Sequence, residues 1–368
     1  MKVLFITNIP TPYRMKFFEG LGEHIDLTVL YEAKKAKNIK FSYEDIVVST
    51  YKEIYLSDGY IHENIPNPKI ITFLLRNKFD LIFLTNYRYA TEMLAYILVK
   101  VLKTPYCIEI DGGRIKKESK LAYGFNRWLL SGAIAYFSPA KSADEFFIHY
   151  GVSTTKLVRY PFTSITKDYI INQKDLQVKL NRRKDEPLTF LYVGRIIPEK
   201  GVDILINAYS EYCKTSTNET KLIIVGNAPD LRYLNHINRI KNKNTVIRGF
   251  VSSDNLIKVY DEADVFIFPS LYDPWGLVIN EAMSRGLVIL SSNTVVSSIE
   301  LIEDGINGFM FKVCIDSMKE TFEKLFTNRK ILTSAPLKNI EVMMNYTLEA
   351  MIQSHVIFLK STDYSQKI

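Results

Sequence analysis

Thr189-Phe190-Leu191-Tyr192-Val193-Gly194-Arg195-Ile196-Ile197-Pro198-Glu199-Lys200-Gly201 runs from an unbroken apolar segment into a glycine, two cations and a second glycine. The segment Thr189–Val193 reads as a strand buried on both faces. Gly194 at its end lets a ligand approach the backbone. A helix expected over Val202–Tyr212 offers free N–H groups and the positive end of its dipole. Arg195 and Lys200 place two cations beside that terminus, a natural grip for a diphosphate. The same residues also suit a plain strand–helix turn with two surface bases.

On the C-terminal side the alternation continues. Strands are expected at Leu222–Val225, Thr245–Arg248, Val265–Phe268 and Val288–Leu290. Helices are expected at Leu231–Lys241, Asn255–Glu262 and Leu277–Arg285. On the N-terminal side Val3–Thr7, Leu27–Tyr31, Leu81–Leu84, Tyr106–Ile110 and Ala133–Phe137 read the same way, with helices through Glu92–Lys103 and Leu121–Leu130. Short apolar strands alternating with helices signal parallel sheets covered on both faces. A chain of 368 residues exceeds one core, so two domains are expected. The polar run 167–186 reads as the linker between an N-terminal domain, 1–166, and a C-terminal domain, 187–346. A last helix, about 347–368, is expected to cross back onto the first domain. The expected fold class is α/β, with two Rossmann-like domains facing across a cleft.

Composition narrows the function. The three cysteines (Cys107, Cys213, Cys314) are scattered, so no disulfide framework or zinc site is indicated, and the five histidines are isolated. No metal is expected. The N-terminal apolar run is too short for a signal peptide, and Met93–Leu102, broken by Lys100, cannot span a bilayer. A cytoplasmic protein follows as the expectation. Of the net +7, residues 1–160 hold 22 bases against 16 acids. That half would attract anionic partners. Nucleic acid is not expected among them, because no helix-turn-helix, zinc or RNA-recognition signature is present.

The second chemistry-bearing run is Phe268-Pro269-Ser270-Leu271-Tyr272-Asp273-Pro274-Trp275-Gly276-Leu277-Val278-Ile279-Asn280-Glu281-Ala282-Met283-Ser284-Arg285-Gly286. Asp273 lies in the loop after a buried strand, where open α/β sheets bind ligands. Glu281, eight residues on, sits inside the following helix. Both carboxylates can face the crevice and accept hydrogen bonds from vicinal sugar hydroxyls. The bland alternative makes Asp273 a helix cap and pairs Glu281 with a surface base.

Taken together, these motifs resemble the retaining glycosyltransferases of family 4, which have the GT-B fold. The Gly194-Arg195…Lys200-Gly201 loop and Asp273-x7-Glu281 match its Gly-Arg…Lys-Gly loop and Glu-x7-Glu motif. Similarity continues at Ile224-Val225-Gly226, Arg248-Gly249-Phe250, Ala263-Asp264-Val265-Phe266 and Asn307-Gly308-Phe309. The resemblance implies that Arg195 and Lys200 bind the donor diphosphate and that Glu281 holds the ribose hydroxyls. Asp273 would contact the transferred sugar. Gly226, Arg248 and Phe250 would flank the base, and Gly194, Gly276 and Leu277 would complete the donor site. Three features depart from the family pattern. The first motif acid is Asp273, shorter than glutamate. The loop Asn8-Ile9-Pro10-Thr11-Pro12-Tyr13-Arg14 lacks a glycine pair, although it resembles that of some bacterial surface-polysaccharide members, with Arg14 set to orient acceptor or phosphate. Thr294-Val295-Val296-Ser297 replaces a glycine-rich loop.

In the first half, Glu109-Ile110-Asp111-Gly112-Gly113 follows a buried strand, and Asp111 stands where relatives place a histidine near the donor sugar. Asp111 is thus a candidate catalytic residue, though Asp before Gly-Gly also makes an ordinary turn. The basic, aromatic segment Arg114–Leu130 suits either an anionic membrane surface on the inner face of the plasma membrane or an amphipathic helix with a wet basic face. The implied activity is retaining transfer of a hexose-type sugar from a UDP- or GDP-sugar to a glycan or lipid-linked acceptor, with no cofactor required. Two alternatives remain at this level: a nucleotide-sugar isomerase or epimerase of the same fold, and a non-catalytic partner subunit.

Overall fold

The computed structural model describes residues 1–36, 48–182 and 186–361. The chain divides into two compact units, Met1–Thr163 with the segment from Leu348 onward, and Ser164–Thr347.

Unit 1 is built on seven parallel strands: β1 (Lys2–Thr7), β2 (Asp26–Tyr31), β3 (Lys52–Tyr55), β4 (Leu81–Leu84), β5 (Tyr106–Glu109), β6 (Ala135–Ser138) and β7 (Leu157–Arg159). Their order is β3-β2-β1-β4-β5-β6-β7, so the chain reverses its march between β1 and β4. Alternation along each strand sorts two cores. Leu4, Ile6, Ile82, Leu84 and Ile108 join one apolar cluster with the helices on their face. Phe5, Phe83 and Phe137 point the other way. Phe5 stacks on Phe83 at 4.3 Å between centroids, and Phe137 meets Phe83 edge-on at 5.2 Å. The helix Pro12–Gly22 covers this aromatic face with Phe17 and Phe18, both fully buried. The helix Leu348–Ser361 completes it, setting the His355 ring 4.6 Å from Phe137 and 4.8 Å from Phe17.

Unit 2 holds six parallel strands, β8 (Leu188–Val193), β9 (Thr220–Val225), β10 (Thr245–Gly249), β11 (Val265–Phe268), β12 (Val288–Ser292) and β13 (Gly308–Phe311). They are ordered β10-β9-β8-β11-β12-β13, with the reversal between β8 and β11. A row of rings, Tyr192, Phe268 and Phe266, lies along one face at 6.3 and 6.0 Å. Phe190, Tyr209 and Phe322 pack the core between the sheet and its helices.

Two sequence readings need correction. The run 167–186 is not a bare polar connector: it contains the helix Gln173–Arg182, whose Leu176 is buried and whose Lys179 is 4% exposed. The Lys179 ammonium donates to the carbonyls of Tyr260 and Arg285, both at 2.9 Å, which explains how a charged residue is accommodated inside. Residues 183–185 of that run, and 362–368 of the expected last helix, lie outside the described residues. The strands β3 and β7 were also missed. Both are short sheet edges whose residues are only half-buried or exposed, so they lack the apolar signature of the central strands.

Candidate active site

The two sequence motifs leave the second sheet side by side. β8 and β11 are the neighbours at the reversal, so the loops that follow them flank the topological switch point, the place where parallel sheets bind ligands. Backbone bonds lace these loops together: Leu271 N–H donates to Glu199 O at 3.0 Å, and Ile196 N–H to Asn227 O at 2.8 Å. Gly226, at the end of β9, is held so close that a Cβ there would sit 1.7 Å from the Gly194 carbonyl oxygen. A Cβ on Gly201, whose φ is +65°, would lie 2.3 Å from Pro269 O. Only glycine lets these strand-end loops approach.

Lys200 and Asp273 meet across the crevice. The ammonium is 2.6 Å from Asp273 Oδ2 and 3.3 Å from Ser270 Oγ, and lies over the Phe268 ring. Three donors on Lys200 and two protein acceptors leave one N–H for a ligand anion. Asp273 Oδ1 accepts Trp275 N–H at 3.1 Å, so both carboxylate oxygens are oriented. Trp275 in turn is 2% exposed and donates its indole N–H to the Asn280 side chain at 2.8 Å, pinning the loop to the helix Leu277–Ser284. The segment that replaces a glycine-rich loop secures the same turn. Val295 forms a bridge with Asp273, Thr294 Oγ1 donates to Ser270 O at 3.0 Å, and Ser297 N–H donates to Trp275 O.

Arg195 is exposed beside Gly194 and makes no ion pair among the described residues, whereas the hydroxyl of buried Tyr192 fixes its carbonyl at 2.8 Å. Gly276 precedes the helix and Leu277 opens it. Phe250, 68% exposed, follows β10 with its ring open to stacking. Arg248 pairs through one guanidinium nitrogen with Glu262 at 2.7 Å. Glu281 pairs with no base among the described residues. Its Oε2 accepts Tyr260 O–H at 2.8 Å and its Oε1 accepts Ser164 O–H at 3.2 Å. Burial raises its carboxyl above the ordinary range, against the pull of those two hydroxyls. Neither hydroxyl was foreseen from the sequence, since neither belongs to the local motif.

Asp111 belongs to unit 1 and sits in a charged cluster there. Arg14, in the first turn of the helix Pro12–Gly22, bonds Glu109 with one nitrogen and Asp111 with the other. His355 Nε2 lies 3.0 Å from the other Glu109 oxygen, and its Nδ1 faces Met351 O at 2.8 Å. Arg14 is 4% exposed, and Glu109 and His355 are fully buried. Burial alone would raise Glu109, yet Arg14 and His355 outweigh it and hold the carboxyl down at about 2. Asp111 moves the opposite way: loss of water and the charge of Glu109 raise it against Arg14. His355 read as an isolated histidine because 246 residues separate it from Glu109, and no spacing rule spans that distance.

Two Rossmann-like parallel sheets in one chain are the architecture of the GT-B class. Residues 173–339 match the family described as glycosyl transferases group 1. The chain is 34% identical over 138 residues to an uncharacterized glycosyltransferase of Methanocaldococcus jannaschii, MJ1607, an alignment spanning 35% of this chain and 34% of that protein. It is 26% identical over 255 residues to an uncharacterized 41.2 kDa protein in the cps region of Klebsiella pneumoniae, covering 66% and 67% of the two chains. Among solved structures, Anabaena Alr3699/HepE in complex with UDP superposes with a TM-score of 0.77 at 15% identity, over 98% of this chain and 100% of that one. At that identity the likeness establishes the fold alone.

Proposed function

We propose that this protein is a retaining glycosyltransferase that moves a hexose-type sugar from a UDP- or GDP-sugar to a glycan or lipid-linked acceptor of the cell surface. The observation that carries the reading is the meeting of Lys200 and Asp273 at the switch point, with Gly194 and Gly226 clearing the backbone beside them. Departure of a nucleoside diphosphate builds charge on the leaving phosphate. Lys200, Arg195 and the amides opening the helix at Val202 are the groups to stabilise it, more in the transition state than in the ground state. Asp273, steered by Lys200, offers its remaining lone pairs to sugar hydroxyls, and Glu281 offers its own to the ribose. Phe250 supplies a face for the base. Retention is assigned to a front-face route in which the departing phosphate accepts the acceptor's proton, and Asp111 is the unit 1 residue assigned near the donor sugar. A neighbour crystallised with UDP and glucose supports the donor class, and a relative in a cps region supports the surface-glycan role.

No helix among the described residues is long and apolar enough to cross a membrane. Contact with an anionic bilayer is assigned to the helix Lys120–Leu130, where Leu121, Phe125 and Trp128 are 88%, 42% and 47% exposed among bases. Trp128 emission should shift to the blue on anionic vesicles and not on neutral ones; equal spectra refute that assignment.

The donor reading is tested by screening UDP-, GDP- and dTDP-sugars for thermal stabilisation, then following transfer with the best. Stabilisation by one nucleotide series, lost in Glu281→Ala, is the expected result. No response from any series rejects the reading, and a new nucleotide-sugar epimer formed from donor alone favours an isomerase instead.

A further inference from the structure

The carboxylate assigned to the ribose is oriented by hydroxyls, whereas Asp273 is oriented by a cation. Glu281 is half-buried on the helix Leu277–Ser284. Tyr260 reaches it from the helix Ser253–Glu262, and Ser164 from the first residue of unit 2. Tyr260 is fully buried, and its ring is set against Phe266 of β11 with centroids 6.0 Å apart. Its hydroxyl therefore stays on Glu281 as long as the core stays packed. Two clamps hold the helices that carry the pair. Arg285 grips Asp261 through Nε and Nη2 at 2.8 and 2.6 Å, and Lys179 donates to the carbonyls of Tyr260 and Arg285. Asp261 follows Tyr260 directly, and Arg285 lies one helical turn beyond Glu281.

An ionised carboxylate has about four lone-pair sites, two on each oxygen. Tyr260 fills one on Oε2 and Ser164 fills one on Oε1, so each oxygen keeps one. What remains is a two-point acceptor, the complement of two vicinal hydroxyls. Neutral donors leave the negative charge on Glu281, so its bonds to a ligand are charge-assisted. Burial, and then the charge of Glu281, push the Tyr260 hydroxyl well above its ordinary range, and it stays a donor.

We propose that Tyr260 is a positioning residue that, by fixing Glu281, makes the donor site selective for ribonucleotides over 2′-deoxyribonucleotides. The selectivity rests on the reading of Glu281 as the ribose acceptor. A fixed carboxylate takes one hydroxyl on each oxygen, and a nucleoside without the 2′-hydroxyl leaves one oxygen short of a partner in a half-dry site. A carboxylate freed from Tyr260 turns to suit whichever hydroxyl is present, and the distinction is lost. UDP- and GDP-sugars are thereby placed ahead of dTDP-sugars, whose nucleoside has only the 3′-hydroxyl.

The full-length protein is titrated calorimetrically with UDP, 2′-deoxy-UDP, GDP and 2′-deoxy-GDP. In the series that binds, the ribonucleotide should bind tighter by about tenfold or more, as one hydrogen bond to a charged group provides. That ratio should collapse in Tyr260→Phe, which keeps the packed ring, and should fall no further in Tyr260→Phe/Glu281→Ala, because the tyrosine acts through the carboxylate. A purely structural tyrosine would weaken both nucleotides alike, and an unchanged ratio in Tyr260→Phe overturns the proposal. Equal affinities in the wild-type protein, or a preference that survives Glu281→Ala, overturn it even if the tyrosine variant fails to fold. Binding without a ribose preference sinks this inference alone, whereas no binding of any nucleotide rejects the donor reading together with it.

Discussion

Replacing Glu109 by glutamine mimics its protonated form without changing its shape, and so isolates what its charge contributes. The carboxyl is held at about 2 against an ordinary value of 4.5. Each pKa unit is worth about 1.4 kcal/mol, so ionised Glu109 favours the folded state by about 3 kcal/mol at neutral pH. Breaking buried ion pairs costs about 3–5 kcal/mol, which agrees. Geometrically the amide fits. Its oxygen can accept from Arg14, and its NH₂ can donate to a neutral His355 whose other nitrogen keeps Met351 O. The loss is therefore chiefly electrostatic. A depressed carboxylate stabilises above its unfolded pKa, and that contribution drains away as pH falls from about 4.5 toward 2. Urea unfolding of unit 1, followed by near-ultraviolet circular dichroism at pH 7, 5 and 3, should show Glu109→Gln weaker by about 3 kcal/mol at pH 7. The gap between the two proteins should narrow at pH 3. A gap under about 1 kcal/mol at neutral pH, or one independent of pH, would refute the account of the cluster.

Three further outcomes follow from unit 2. Lys200→Ala should lower turnover at saturating donor by about 10²–10³-fold, as loss of one preorganised cation does; near-normal turnover removes Lys200 from the mechanism. Glu281→Gln should raise the melting temperature of the ligand-free protein at pH 7 while weakening nucleotide binding. Burial raises this carboxyl, so the folded state is penalised as pH climbs above the unfolded pKa, and the neutral amide escapes the penalty; scanning calorimetry with and without nucleotide separates the two effects. Gly226→Ala should destabilise unit 2 by about 1–3 kcal/mol or more, because the new methyl must displace the Gly194 carbonyl. A melting point equal to the wild type would show that the loops yield freely.

The central strands were legible because they are continuous apolar runs between turn residues, as in β4, β8 and β11. The loops after β8 and β11 were legible because their glycines and charges lie close together in the chain. What escaped depends on neighbours far along the sequence. The helix Gln173–Arg182 shows only Leu176, Val178 and Leu180 among polar residues, and only the carbonyls of Tyr260 and Arg285 make its Lys179 an interior residue. His355 and Glu109 acquire meaning only from each other, and Ser164 and Tyr260 only from Glu281. Arg248 was legible as a strand end, whereas its ion pair with Glu262, in another element, was not.

The return of the helix Leu348–Ser361 to unit 1 bears on how the protein is made. During translation the first sheet emerges with Phe5, Phe17, Phe83 and Phe137 uncovered on the side that His355 and its helix will close. Roughly 180 residues of the second unit must be synthesised first, a delay of about 10–40 s at ribosomal rates. Throughout that interval the nascent chain carries a greasy aromatic flank, and Glu109 has Arg14 but not yet His355 as a partner. The first half of the protein thus waits on its final helix, a window that suits chaperone capture.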